Sequence, residues 1–220
     1  MFDARTPHPD APPARLRAHG LCLRWGENRV FTGLDLEIAP GLTLVHGDES
    51  CGKSSLLRLL AGELAPQSGA FYLGGVPADA KALRNASYWT DMRSEAHDAI
   101  SARSYWAGLP TRYPAWDALA LETLVGGLGL AEHADKPLYM LSTGSKRKVW
   151  LAAAFASGAP LLLIDEPFAA LDRASAACVA HWLGRAAQST NRACVIADYQ
   201  APAGLAPRQL LLRQGQAHAV

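Results

Sequence analysis

Long apolar runs are the first thing missing from this sequence of 220 residues. A helix that crosses a bilayer takes about 20 apolar residues, and the strongest runs here, 151–156 and 161–164, fall far short. A soluble chain is the expectation. Excess charge is missing too: a formal net charge of +1 offers no electrostatic reason for a nucleic-acid partner, and no basic stripe is interleaved with aromatics. Cysteine is scarce, with Cys22, Cys51, Cys178 and Cys194 lacking CxxC or metal-ligand spacing. This argues against a disulfide scaffold or a zinc module and for a reducing, cytoplasmic setting. Internal repeats are absent, and the only biased segment is the Pro-rich start at 1–15, which reads as a disordered tail, neither signal peptide nor anchor.

What is present is a chain that is 50% hydrophobic, enough for one sizeable core at 16–220. Within it, Gly47, Asp48, Glu49, Ser50, Cys51, Gly52, Lys53 and Ser54 fit the pattern G-x-x-x-x-G-K-[S/T]. The apolar run before the pattern reads as a buried strand, and Ser55 and the leucines after it read as a helix. Such a loop aims backbone N–H groups and the positive end of a helix dipole at phosphate oxygens. Lys53 then reaches the terminal phosphates, and the Ser54 hydroxyl ligates the Mg²⁺ that accompanies a nucleoside triphosphate. Asp48 and Glu49 are discordant in an anion cradle unless both face solvent. Cys51 has two readings, a thiolate favoured beside Lys53 and a helix start or a small side chain packed under the loop.

Around this loop, short alternating runs at 21–25, 29–31 and 34–38 predict a small antiparallel sheet, with further strands at 69–75 and 86–90. Residues 93–139 look helical, with an amphipathic stretch at 115–124. Helices are expected at 146–156 and 173–187 and buried strands at 160–165 and 193–197. The alternation predicts an α/β fold: a P-loop NTPase core with a mostly parallel sheet, an N-terminal antiparallel β subdomain and a helical insert at about 92–145. The apolar strand at 161–165 ends in Asp165 and Glu166, where open α/β sheets bind ligands. Asp165 is expected to hold the Mg²⁺ shell, and Glu166 to orient or deprotonate the attacking water.

Upstream of that strand lies Leu141-Ser142-Thr143-Gly144-Ser145. Between the phosphate loop and the Asp165-Glu166-Pro167 strand end, this Leu-Ser-x-Gly string resembles the signature of the ATP-binding cassette (ABC) transporter ATPases, and Ala169-Ala170-Leu171-Asp172 resembles their D-loop. The resemblance runs from Leu16 to about Leu212. It implies ATP and Mg²⁺, and a second cassette, identical or not, paired head to tail so that Ser142 and Gly144 face the γ-phosphate held by the other subunit's Lys53. It implies an integral membrane subunit docked on the helical insert, and a location on the inner face of the cell membrane through that partner. Trp25 takes the place of the aromatic that stacks on adenine, or is a core residue at a strand end with Phe31 in reserve. The run at 55–62 and the short chain are similar to the haem exporter ATPase of cytochrome c maturation.

The pattern also breaks. By the family pattern, Asp198 stands where a γ-phosphate-contacting His is usual, and none of the seven His residues is near it in sequence. Asp91 replaces the usual Q-loop Gln, although an acid still binds Mg²⁺. Ser145 ends the signature where Gln is commonest, and Glu49-Ser50 departs from the common loop sequence. The expectation is ATP binding with slow or atypical hydrolysis that powers a transporter. The alternative is an ATP-dependent dimerising clamp with little turnover.

Overall fold

The computed structural model describes residues 16–91, 94–213 and 215–219; the Pro-rich start lies outside them. In chain order the strands and helices are β1 Leu16–Trp25, β2 Asn28–Ile38, β3 Gly41–His46, α1 Lys53–Leu60, β4 Ser68–Leu73, β5 Val76–Ala78, α2 Ala80–Ala86, β6 Ser87–Tyr88, α3 Ala102–Gly108, α4 Ala118–Gly127, α5 Thr143–Ala156, β7 Leu161–Asp165, α6 Arg173–Ala187, β8 Ala193–Ala197, β9 Arg208–Arg213 and β10 Gln216–Ala219. They divide into two compact units.

One unit holds both sheets and comprises the described residues up to Trp89, Pro160–Glu166 and those from Leu183 on. Its six-stranded sheet runs β10-β9-β3-β8-β7-β6, parallel throughout except for the β9–β10 hairpin at one edge. Strands β3, β7 and β8 are buried along almost their whole length, as a parallel strand covered on both faces must be. Helix α1 lies against β7 and β8 and buries Leu56, Leu57, Leu59 and Leu60, each contributing about 1.5–3 kcal/mol relative to an exposed position. The four-stranded sheet, β2-β1-β4-β5, is antiparallel. Leu16, Leu21, Leu23, Phe31, Leu34 and Phe71 from it share one core with α1 and the parallel strands.

Sequence and structure differ here in three places. The strands expected at 29–31 and 34–38 are one strand, β2, because the break at Gly33 is a bulge: the pairing slips by one residue between Leu21↔Leu34 and Leu23↔Phe31 while the ladder continues. Of the run 86–90 only Ser87 and Tyr88 are strand; Ala86 ends α2, which Asp79 caps by accepting the Ala82 N–H at 2.7 Å. The hairpin of β9 and β10 carried no clear period in the sequence, and it completes the parallel sheet's edge.

The other unit, Thr90–Ala159 and Pro167–Trp182, is helical. Its core surrounds the fully buried Trp150, against which the Tyr105 ring stands edge-on at 4.5 Å. Trp106 Nε1 donates to the Val149 carbonyl at 3.1 Å. Helix α4 starts where Asp117 accepts the Ala120 N–H at 2.9 Å, which is why the amphipathic pattern begun at 115 becomes helix only from Ala118.

Candidate functional site

Within the two-sheet unit the C-terminal ends of three neighbouring strands converge: β3 leads into the phosphate loop, β7 into Asp165 and Glu166, and β8, between them, into Asp198. The loop turns at Gly47, at φ +151°, where a Cβ would sit 2.4 Å from the Leu212 carbonyl oxygen and 2.8 Å from Cys51 Sγ. No side chain fits there. Asp48, Glu49 and Ser50 are exposed, so both loop acids face solvent as an anion cradle demands. Cys51 packs against the core, which supports the packing reading of its thiol. The N-cap of α1 is Gly52, with no side-chain cap and no acid in the first turn. The first N–H groups of the helix are therefore left for an anion.

Lys53 has its own local partners. Its ammonium donates to the Gly47 and Asp48 carbonyls, both at 3.0 Å, and lies 4.5 Å from the centroid of the Tyr199 ring. Trp25 ends β1 at 48% exposed, whereas Phe31 is at 1%. This corrects both alternatives for the adenine position: Trp25 is no core residue, and Phe31 has no free face to offer. The Trp25 indole N–H reaches Ser55 Oγ at 3.5 Å, so this exposed ring lies beside the first turn of α1.

Asp165 pairs with Ala197 across the ladder, and the next residue, Glu166, donates its N–H to the Ala197 carbonyl at 2.8 Å in a left-handed conformation, φ +47°. Asp198 donates its N–H to the Val45 carbonyl at 3.1 Å, and its carboxylate accepts the Tyr199 N–H at 2.7 Å. Burial, then the Glu49, Glu166 and Asp198 carboxylates, push the Tyr199 phenol up from its ordinary value, so it stays protonated at neutral pH. Two residues of this edge escaped the sequence reading. Tyr199 had no motif to mark it. His46 is far from Asp198 in sequence, yet it lies one step beyond the Val45↔Ala197 pair, level with Asp198, and its Nε2 is buried without a hydrogen-bond partner.

Ser142, Gly144 and Asp91 belong to the helical unit, so the structure does not gather all the predicted site residues into one unit. Ser142 is the exposed N-cap of α5: its Oγ accepts the Ser145 N–H at 3.1 Å and donates to Ser145 Oγ at 3.0 Å. A Cβ on Gly144 would lie 2.5 Å from the Ala170 carbonyl oxygen, so the signature glycine is what lets α5 approach the segment 169–172. That approach is tied down by Lys148, which donates to Asp172 Oδ2 at 2.5 Å. Asp172 also accepts from the Ser175 N–H at 2.8 Å and its hydroxyl at 2.9 Å. The Lys148 hydrogen bond first, then those of Ser175, hold the Asp172 carboxyl well below the usual range. Asp91 is exposed.

Among the described residues no three or more His, Cys, Asp and Glu are grouped to hold a metal ion. The hydroxyl of Ser54 and the carboxylate of Asp165 fit a different case, Mg²⁺ bound by one or two protein groups, water and substrate phosphates.

Residues 31–169 match the ABC transporter family. The chain is 39% identical over 173 residues to the cytochrome c biogenesis ATP-binding export protein CcmA of Rhodospirillum rubrum, covering 76% of this chain and 72% of that one. It is 30% identical over 208 residues to the protein of the same name from Rhizobium meliloti, covering 93% and 100%. An ABC transporter ATP-binding protein of Pyrococcus furiosus superposes with a TM-score of 0.73 at 19% identity, covering 90% of this chain and 98% of that one. The ATP-binding subunit of another ABC transporter superposes with 0.80 at 16% identity, covering 92% and 87%; both superpositions support the fold.

Proposed function

This chain belongs to the ABC transporter family of ATPases, and we propose that it is the ATP-hydrolysing subunit of an export system serving cytochrome c biogenesis, similar to the haem-exporter ATPases. Members of this family bind ATP, pair with a second cassette and power membrane subunits. The export role rests on the relatives' names and on their similarity to most of the chain. Among the described residues no helix is long and apolar enough to cross a membrane. The membrane subunit is read as a separate protein docked on the helical unit.

The observation that carries the hydrolytic reading is the convergence of the phosphate loop, Glu166 and Asp198 on adjacent strand ends. In the proposed site Trp25 stacks on adenine and the loop from Gly47 to Ser55 cradles the phosphates. Lys53 gives up its loop carbonyls for phosphate oxygens, and Ser54 and Asp165 hold Mg²⁺, which when bound neutralises phosphate charge. Glu166 orients the attacking water. Asp91 is a further metal-side carboxylate by family position. Ser142 and Gly144 of a head-to-tail partner cover the γ-phosphate, where the capped start of α5 supplies N–H donors. Asp198 brings a carboxylate to the same edge, where a negative phosphate repels it at low dielectric, and this supports slow or atypical turnover. The same acid supports the second reading, a nucleotide-dependent clamp that scarcely turns over.

Mg²⁺-dependent turnover of the purified protein separates the two. We expect measurable ATPase activity that Glu166→Gln lowers by about 10²-fold or more, the scale of a positioned general base, and that Asp198→His raises. Turnover that Glu166→Gln does not change would overturn the hydrolytic reading, and rates ordinary for the family would overturn the claim of a slowed site. Co-purification with a polytopic membrane protein is the expected mark of the transport role.

A further inference from the structure

The ammonium of Lys53 carries three N–H donors. Two of them meet the Gly47 and Asp48 carbonyls at 3.0 Å, and the ring of Tyr199, its centroid 4.5 Å away, is the remaining partner. The carbonyls belong to the phosphate loop itself. The ring comes from beyond the neighbouring strand β8. The backbone beneath it is anchored: Asp198 N–H bonds to the Val45 carbonyl at 3.1 Å and Tyr199 N–H to the Asp198 carboxylate at 2.7 Å. The side chain is not, being 58% exposed, so it turns out into solvent without opening a cavity.

We propose that Tyr199 is a further residue of the nucleotide site, a positioning residue for Lys53 whose ring occupies the face of the ammonium that nucleotide phosphate requires, so that binding displaces it. An anion gains more from an ammonium than a ring quadrupole does, and the ring is the weakest of the three partners. Phosphate therefore takes the ring's place first, while the loop carbonyls let go only as the Lys53 chain extends. Tyr199 thereby lowers nucleotide affinity by the strength of one exposed cation–π contact.

The inference rests on the ATP site proposed above, and the test separates the two. ATP binding with Mg²⁺ is measured by titration calorimetry for the wild type and for Tyr199→Phe, Tyr199→Leu and Tyr199→Trp. Removing the π face in Tyr199→Leu is expected to tighten binding about two- to fivefold and to lower KM by the same factor with kcat unchanged. Tyr199→Phe keeps the wild-type affinity, and Tyr199→Trp, with the best π face, weakens it. A role in packing alone does not produce the order Trp, Tyr with Phe, Leu in Kd. Unchanged or weaker binding in Tyr199→Leu, with a wild type that binds ATP, overturns the inference and leaves the ATP site standing. A wild type that binds no ATP overturns both.

Discussion

Among the described residues three that are not glycine hold positive φ: Ser50 at +59°, Glu166 at +47° and Ala170 at +59°. Each costs on the order of 1–2 kcal/mol against a right-handed conformation, and each lies in a string that the sequence reading singled out: the phosphate loop, the strand end after β7 and the segment 169–172. Strain gathers where geometry is over-determined. At Ser50 the side chain is exposed, so nothing offsets the strain locally. Ser50→Gly is expected to stabilise the nucleotide-free protein by about 1 kcal/mol, read as a higher midpoint in denaturant, with Ser50→Val moving the other way; no shift in either variant would refute the strain. Sequence alone marked Ser50 as a departure from the common loop. Only the backbone shows that it has kept the left-handed conformation that glycine adopts freely.

Helix starts follow short polar side chains that the periodicity of the sequence does not single out, which is why the stretches expected from 115 and 146 begin instead at Ala118 and Thr143 and Ala86, the last residue of α2, falls in an expected strand. Asp79, Asp117 and Ser142 each accept an N–H three residues on, which is the N-cap bond. Asp172 does the same for Ser175 at the start of α6, and Lys148 from α5 reaches the same carboxylate. That second bond was not legible, because the two helices meet only through folding. Its pH dependence follows from its sign. The folded carboxyl is depressed by Lys148 and Ser175, so its contribution is present above the unfolded value of about 4 and is lost as pH falls through the lower folded value. Asp172→Ala is expected to lower the thermal midpoint at pH 7, with the gap to wild type shrinking only below about pH 4. A gap already closing at pH 6 would contradict the assignment.

For the whole molecule, the phosphate-loop and strand-end residues lie on one unit and Ser142 and Gly144 on the other; under the proposed head-to-tail pairing the second set serves the partner's site. Glu166→Gln, which keeps the backbone while removing the base, is expected to trap the ATP-bound pair. In Mg²⁺ and ATP it should elute at roughly twice the 23.4 kDa of one chain, and as a monomer in ADP. A monomer in both conditions would refute head-to-tail pairing.

By itself the sequence determined the nucleotide chemistry and the family, because both are written in contiguous strings: Gly47 to Ser54, Leu141 to Ser145, and Asp165 with Glu166. It also determined the α/β class, since fully apolar strands and amphipathic helices alternate along the chain. Only the tertiary structure decided what surrounds those strings. Parallel pairing of β3 with β8 and β9 joins segments far apart in the chain, so His46 comes level with Asp198, Tyr199 comes over Lys53, and Leu212 closes the space beside Gly47. No local pattern encodes such neighbours, because they depend on strand order and register, which are settled by burying the whole core at once.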